Sequence, residues 1–242
     1  MSVLTLQLAG PLQSWGVSSR FAWRTTAPAP TKSGIVGLLA SALGWDRTAD
    51  LRDLAELRLG VRVDQPGTRV RDFQTAHHAD TRRSMPLSER FYLADAVFVA
   101  AVEGGDELIH RLYDAVRQPH FLPYLGRRSC PPAQPVELGV SAADIATALE
   151  TEPWRASAWY QKRVREEHVY LDVFLETAPT EQAAEIQRDQ PTSFDPRHRQ
   201  YELRAVRIDT VRIPNPSARR RTGGARPSTV LDHDPTTLLE GI

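Results

Sequence analysis

The chain has 242 residues, with 30 basic and 30 acidic side chains, so its formal net charge is zero. This length allows one large domain or two small ones, with a core that needs no disulfide or metal. One Cys excludes an intrachain disulfide or a cysteine-based zinc site, and no window reaches the ~18 apolar residues of a membrane span. Because the first residues also lack a basic signal-peptide region, we expect a soluble cytoplasmic protein without a cofactor or metal.

The first half of the chain alternates predicted strands with helices. Alternating leucines predict a strand over 3–8, and Ser33 fits the N-cap of a helix that continues through Leu43 and ends at Gly44. Thr48 fits the cap of a second, short helix. A strand over 59–63, a Gln-Pro-Gly turn and a returning strand over 68–75 follow.

The second half begins with residues 76–90, which are polar, basic and aperiodic. The sequence then predicts a strand over 91–102, a helix over 106–116 and, after a loop, a strand over 136–140. A helix over 141–149, which Ser141 caps, and strands over 169–175 and 201–213 are predicted to follow. Residues 176–199 and 214–242 are rich in charge, Pro and Gly, which predicts loop, hairpin or disorder.

This order of elements predicts an α+β, ferredoxin-like fold for residues 1–140. In that fold an antiparallel sheet is covered by two helices on one face, and its open face is where proteins with an RNA-recognition motif stack bases. Residues 141–242 are expected to be a C-terminal β-rich appendage on the sheet or a degenerate second domain.

Arginine dominates the basic residues, since only Lys32 and Lys162 are lysines. From Ala115 to Val136 there is no acidic residue, and from Arg197 to Arg226 nine arginines face two acids. The planar fork of Arg suits bidentate phosphate contacts, so these local patches predict a polyanion bound on one face of a neutral chain.

Lys32, Ser33 and Gly34 open the first long helix and resemble part of a phosphate loop. The glycines of the nucleotide-binding pattern GxxxxGK[ST] are missing, which argues against a nucleoside triphosphatase. A lysine and free N–H groups at a helix start can still bind an anion, although an ordinary Ser N-cap explains the same residues.

His77 and His78, with Arg82 and Arg83, lie in the aperiodic segment between two predicted strands. A metal site would need further ligands, and acid–base catalysis would need a Lys or Tyr partner. A basic hairpin that grips RNA or a protein is the favoured interpretation, and a solvated loop is the plain alternative.

Tyr124, Gly126, Arg127 and Arg128 form the densest motif, in a loop between a helix and a strand. The glycine allows close backbone approach, and the arginines suit phosphate. Trp15 offers either a base-stacking surface or a core residue. The Arg219–Arg221 run is taken as a solvated basic segment.

Four segments, LAGPLQSWG (8–16), PTKSGIVGLLASALGW (30–45), RDFQTAH (71–77) and PYLGRRSCPP (123–132), resemble in order one known family. It is the CasD family, the 5′-handle-binding subunits of Cascade, the type I-E CRISPR effector, within the repeat-associated mysterious protein superfamily. The resemblance covers the first 140 residues or so and implies a hairpin thumb at about 76–91.

The resemblance also implies the partners: CRISPR RNA, the backbone subunit CasC, whose filament this subunit would cap, and the large subunit CasA. Double-stranded target DNA would be met only through the assembled complex. A separate subunit, CasE, processes the precursor RNA in this type, so the family implies binding without catalysis in antiviral defence.

An enzyme is the alternative function. A related subunit of type I-C systems is a metal-independent endoribonuclease, and this chain holds candidate groups of the required kinds. They are Lys32, His77, His78, His120 and Tyr124.

Overall fold

The computed structural model describes residues 1–16, 22–181 and 184–218. The strands are β1 (Ser2–Ala9), β2 (Leu12–Gln13), β3 (Trp23–Arg24), β4 (Arg58–Gln65), β5 (Thr68–Gln74), β6 (Ser88–Ala94), β7 (Val97–Gly104), β8 (Glu137–Ser141), β9 (His168–Thr177), β10 (Glu185–Ser193) and β11 (Gln200–Pro214). The helices are α1 (Lys32–Ala42), α2 (Arg52–Ala55), α3 (Asp106–Arg117), α4 (Ile145–Thr151) and α5 (Ala158–Arg163). The Arg219–Arg221 run lies outside the described residues. No helix among the described ones is long and apolar enough to cross a bilayer.

The main sheet has the strand order β10-β11-β9-β4-β7-β1-β8, and its ladders are antiparallel. β1 is buried along its whole length because β7 and β8 flank it and helices cover both of its faces. On one face, leucines of β1 pack with residues of α1 and α3, including Leu39, Ile109 and Leu112. The fold is therefore α+β, built on an antiparallel sheet, as the sequence indicates.

The opposite face of the sheet is also covered, which the sequence did not predict. α4 packs there, and its Ile145 and Leu149 join Val3, Val99 and Ala101 in a second apolar cluster. The expected open face for base stacking is therefore wrong, because the apolar side chains of β1 and β7 on this side are buried beneath a helix.

A second, smaller sheet contains β2, β6 and β3, and β5 pairs with β6 along the whole length of β6. The predicted returning strand is present as β5, but it pairs with β6 and not with its predecessor β4. The predicted strand over 91–102 is divided at Asp95, whose φ of 56° turns the chain from one sheet into the other. β5 and β6 thus form a long hairpin that leaves the main sheet.

The start of α1 differs slightly from the prediction. Thr31 is the N-cap, and its side chain accepts the N–H of Gly34, so Ser33 lies one residue inside the helix. The helix ends as expected, with Gly44 at a φ of 79° just after the cap residue Leu43.

The predicted caps of two later helices were also wrong. Asp46 accepts the N–H of Thr48, which forms a turn, and the helix begins only at Arg52. The predicted cap Ser141 ends β8, and Asp144 caps α4 instead. At α4 an aspartate forms the capping hydrogen bond that the prediction gave to a serine, whereas α2 has no side-chain cap.

The C-terminal strands continue the main sheet at its β4 edge, where β9 pairs with Gly60–Arg62. β10, which falls in a stretch predicted as loop, hairpin or disorder, pairs with β11 and contacts α1. The division of the chain at residue 140 into two parts stays a prediction.

Candidate nucleic-acid interface

One face of the β5–β6 hairpin carries arginines that stack on aromatic rings. The guanidinium carbon of Arg69 lies 4.6 Å from the centre of the Phe91 ring, and that of Arg71 lies 4.7 Å from the centre of the Phe73 ring. The register places Arg71 opposite Phe91, so these side chains share a face. Trp23 of β3 extends the row, with its ring centre 5.1 Å from that of Phe91.

We call Arg69, Arg71, Phe73, Phe91 and Trp23 the arginine–aromatic ladder. Trp23 and Phe73 are each 49% exposed, which is high for large apolar side chains. The Arg71 guanidinium also lies 3.4 Å from a Glu89 carboxylate oxygen at the surface. Exposed aromatic rings next to cations provide a surface on which the bases of a single strand can stack while its phosphates are neutralised.

The loop that contains Tyr124 to Arg128 lies beside the second sheet. Gly126 has a φ of 85°, and a Cβ atom there would overlap the carbonyl group of Ser14, so only glycine fits. The Arg127 guanidinium donates to the carbonyl oxygen of Arg24 at 3.0 Å and lies 4.8 Å from the centre of the Tyr92 ring. The loop is thereby fixed to β3 and β6.

This loop and the ladder lie on opposite faces of the small sheet. Neighbouring residues of a strand point to opposite faces, so Tyr92, on which Arg127 stacks, faces away from Phe91 of the ladder. Arg128 is exposed, and Tyr124 is half-buried. The small sheet therefore presents cations on both of its faces.

The tip of the hairpin is a tight, exposed turn. His77 and Ser84 form an isolated bridge, and the Nδ1 atom of His78 accepts backbone N–H groups at 3.3 and 3.4 Å. Arg82 adopts a φ of 57°, and it and Arg83 are exposed. The four predicted residues of this segment therefore lie together, at the outer end of the hairpin.

The Lys32 side chain is buried and does not face solvent. Its side chain is only 3% exposed and pairs with Glu176 at 2.8 Å, while its backbone N–H donates to Asp189 at 2.8 Å. Burial lowers the pKa of Lys32, and the carboxylate of Glu176 partly offsets this effect. A carboxylate of the same chain therefore occupies this helix start, where the sequence predicted an RNA phosphate.

The neighbouring predicted residues are likewise engaged internally. The Gly34 N–H donates to Thr31, and its Cα lies so close to the Trp15 ring that a Cβ atom would clash. The Ser33 hydroxyl lies 3.4 Å from that of Thr31. The expectation that Lys32, Ser33 and Gly34 cradle phosphates is therefore not supported, because the Lys32 side chain and the N–H groups of Lys32 and Gly34 are engaged within the protein.

Trp15 is a core residue. Its side chain is fully buried, and its Nε1 donates to the Gln13 side chain at 3.1 Å. The core alternative of the sequence interpretation is confirmed, and base stacking by Trp15 is wrong, since no face of its ring is exposed.

The residues that an endoribonuclease would need are dispersed. The His120 N–H donates to the carbonyl oxygen of Ala42 at the end of α1, whereas Lys32 begins this helix. An 11-residue helix is about 16 Å long, which separates the two. His77 and His78 lie elsewhere again, at the hairpin tip. Among the described residues no group of His, Cys, Asp or Glu is arranged to hold a metal ion.

The sequence interpretation missed the ladder as a unit. Its signal was the alternation Arg69-x-Arg71-x-Phe73, which places three side chains on one face of a strand. Trp23 and Phe91 had no such signal, because their position next to β5 depends on strand pairing across the second sheet.

Comparison with known proteins gives consistent matches. Residues 3–207 match the family model described as CRISPR-associated protein (Cas_Cas5). The chain is 36% identical over 190 residues to the CRISPR system Cascade subunit CasD of Escherichia coli (strain K12), which covers 69% of this chain and 85% of the relative.

Two solved structures are similar in fold and sequence. A chain of a CRISPR RNA-guided surveillance complex has a TM-score of 0.74 at 35% identity, over 88% of this chain and 91% of that one. A crystal structure of a Cas protein has a TM-score of 0.67 at 37% identity, over 89% of this chain and 97% of that one.

Proposed function

The chain belongs to the CRISPR-associated Cas5 family, and we propose that it is the subunit of a Cascade surveillance complex that binds the 5′ handle of the CRISPR RNA without catalysis. Its partners are the CRISPR RNA and the other subunits of that complex. We include in the proposal a cytoplasmic location and contacts with the backbone subunit CasC, whose filament it caps, and with the large subunit CasA.

The arginine–aromatic ladder is the observation that carries the RNA-binding proposal. Exposed rings and cations on one hairpin face suit splayed bases with phosphates between them, which is how single-stranded RNA is recognised. The hairpin from Thr68 to Ala94 is the thumb of this proposal, with its tip at His77, His78, Arg82 and Arg83. The arginines of its ladder and tip are exposed, Arg71 beside Glu89 included, and can meet RNA or a neighbouring subunit.

Tyr124, Gly126, Arg127 and Arg128 complete the proposed binding surface on the other face of the small sheet. The loop is held by short backbone hydrogen bonds, with Leu125 accepting from Ser14 at 3.1 Å. RNA that wraps around the hairpin base would contact both faces. Lys32, Ser33, Gly34 and Trp15 are left out of this surface, since Lys32 and Trp15 are buried and the N–H of Gly34, next to Ser33, donates to Thr31.

The proposed architecture behind this site is a ferredoxin-like unit. The order β4-β7-β1-β8, with α1 and α3 on one face, supports it, because a β-α-β-β-α-β chain folded in this way gives that order. The hairpin is then an insertion between β4 and β7.

The proposal is tested by incubating the purified protein with its own labelled repeat RNA in EDTA, then running native and denaturing gels. We expect a shifted, intact RNA, because Lys32 is buried and lies at the other end of α1 from His120. The assay is repeated with the co-expressed backbone subunit.

Two outcomes contradict the proposal. A discrete cut at the 5′ end of the handle that is lost in His120→Ala or in His77→Ala/His78→Ala would establish the endoribonuclease alternative. The lack of any shift, both alone and with the backbone subunit, would exclude handle binding.

A further inference from the structure

A cleft opens in the main sheet between β4 and β9. The two strands pair only where Gly60–Arg62 meet Val173–Leu175, although both continue beyond this point. The space between their diverging ends has a volume of about 460 Å³, within the range of ligand-binding sites.

Buried polar contacts fix the segment that lies beside the cleft. The Arg62 guanidinium pairs with the Asp64 carboxylate at 2.7 Å, and both side chains are fully buried. Arg62 also donates to the carbonyl oxygens of Glu152 and Pro153, and the Trp154 Nε1 donates to the Asp64 carbonyl oxygen at 2.9 Å. The 152–154 segment is thereby fixed against β4 beside the cleft.

The edge of β9 that faces the cleft has backbone groups without a strand partner. Residues His168–Asp172 pair with β11 on one side, and within the described residues no strand pairs with them on the other. In an antiparallel strand, every second residue directs its N–H and C=O groups away from a given neighbour. A row of free donors and acceptors therefore points into the cleft, ready to pair with an added strand.

The lining of the cleft indicates the chemistry of its occupant. Its aromatic residues are Trp154 and Tyr160, which pack in an apolar cluster with Val169 and Leu171, and Tyr170, which is 72% exposed. Glu166, His168 and Asp172 also line it and no described Lys or Arg does, although the Arg212 guanidinium lies 3.1 Å from the His168 Nδ1 atom. Carboxylates repel RNA phosphates and attract cationic side chains, which the exposed Tyr170 ring can also bind.

We propose that this cleft binds an extended, Lys- or Arg-bearing segment of a partner protein, added as a strand along β9. Its backbone would pair with residues 168–172, and its basic side chain would meet Glu166, Asp172 and the exposed ring of Tyr170. The inference rests on the proposed function only in naming the partner as a neighbouring subunit of the same complex. The cleft is separate from the arginine–aromatic ladder, so protein docking and RNA binding use different surfaces.

The first test places a photocrosslinker, p-benzoylphenylalanine, at position 170 in the complex co-expressed with its other subunits. We expect an adduct with another subunit, mapped by mass spectrometry to an extended segment with a Lys or Arg. An adduct with this chain's own residues 219–242, with a second copy, or with RNA overturns the proposal, as does the lack of a protein adduct.

The second test compares Tyr170→Arg with Leu203→Arg in the same complex. Both positions are exposed on the main sheet, so both variants should fold, but only Tyr170 lines the cleft. A cation in the cleft opposes a basic segment, so we expect Tyr170→Arg to weaken retention of the crosslinked subunit about tenfold or more, and Leu203→Arg to leave it unchanged. Equal retention in both variants overturns the proposal.

The handle RNA gel shift separates this inference from the proposed function. Both variants should bind the repeat RNA as the unmodified protein does. If the unmodified protein does not bind the handle RNA, the proposed function is contradicted. The crosslink at position 170 would still test the cleft proposal independently.

Discussion

Two regions of this protein are rich in charge and use it in opposite ways. At the start of α1, Lys32, Glu176, Asp189 and Arg204 form a buried ionic cluster, in which Arg204 meets Asp189 at 2.8 Å and 2.9 Å. On the β5–β6 hairpin, the arginine–aromatic ladder faces solvent. The cluster joins a helix of the N-terminal half to three C-terminal strands, while the ladder leaves its cations available to a ligand.

The comparison shows that an internal partner, and not the residue type, decides which arginine belongs to a binding surface. Arg204 and Arg69 are both in strands, and both have local sequences of mixed charge. Arg204 is satisfied by a bidentate carboxylate, whereas Arg69 has only the face of Phe91 beneath it. Substitutions in the cluster should therefore change stability, and those in the ladder should change RNA affinity.

The largest effect is expected from Asp189→Ala. It removes both hydrogen bonds of the buried Arg204 to a carboxylate, leaving Arg204 only Glu176 at 3.9 Å, and it removes the acceptor of the Lys32 N–H. Breaking a buried pair in this way costs about 3–5 kcal/mol of unfolding free energy. Urea denaturation followed by circular dichroism measures the loss.

Asp209→Ala is the matched control, since this aspartate is exposed and its nearest cation, Arg207, is 3.8 Å away. We expect its unfolding free energy to stay within about 0.5 kcal/mol of the unmodified value. Similar stability of the two variants would contradict a structural role for the buried ionic cluster.

The double substitution Arg69→Ala/Arg71→Ala should weaken handle RNA binding and leave the urea midpoint unchanged. If each arginine neutralises one phosphate, the slope of log K against log salt should fall by about 1.4, as expected for two contacts to a single strand. Fluorescence anisotropy at several salt concentrations measures both quantities.

The exposed pair Arg111 and Arg163, on α3 and α5, provides the control for lost charge. Arg111→Ala/Arg163→Ala removes the same net charge away from the hairpin. An equal loss of affinity and slope in both double variants would mean that the ladder has no special part in binding.

Arg127 and Arg128 should respond differently to substitution. Arg128→Ala removes only an exposed cation and should weaken RNA binding without a change in stability. Arg127→Ala also removes the hydrogen bond to Arg24 and the stacking on Tyr92, which should lower the unfolding free energy by about 1 kcal/mol. Thermal melts and anisotropy of the two single variants distinguish these effects. Unchanged affinity in both well-folded variants would remove the loop from the binding surface.

The smallest effect concerns Asp144, the exposed counterpart of Asp189 at a helix start. The backbone N–H and the hydroxyl of Thr147 hold the pKa of Asp144 below its usual value of 3.8. A carboxyl with a lowered pKa in the folded state stabilises the protein above its unfolded pKa, and this contribution is lost as pH falls through the lowered value.

Asp144→Ala should therefore lower the melting temperature at neutral pH, by less than Asp189→Ala does. The difference in melting temperature between Asp144→Ala and the unmodified protein should become smaller as the pH falls below 3.8. Asp144→Asn, which keeps an acceptor for the cap, should lie between the two at neutral pH. A gap that is constant with pH would show that the charge of this cap does not contribute.

Most strands and the longest helices could be predicted from the sequence because their periodicity is local. β1, α3 and β9 lie within two residues of the predicted ranges. The pairing partner of β5 could not be predicted, because the kink at Asp95 and the turn at Gly67 depend on contacts across both sheets. Likewise, no local sequence pattern indicated that α4 covers the face of the sheet that was expected to be open.

The sequence by itself determined the family, the positions of most elements, and the basic character of the hairpin and of the Gly126–Arg128 loop. Only the tertiary structure decided which of these cations are free. Lys32 and Arg128 are both cations close to a glycine, yet the Lys32 side chain is buried against Glu176 and the Arg128 side chain is exposed. The physical reason is that the carboxylates that neutralise Lys32 and Arg204 come from strands more than a hundred residues from α1. Only folding of the main sheet brings these strands to the start of α1.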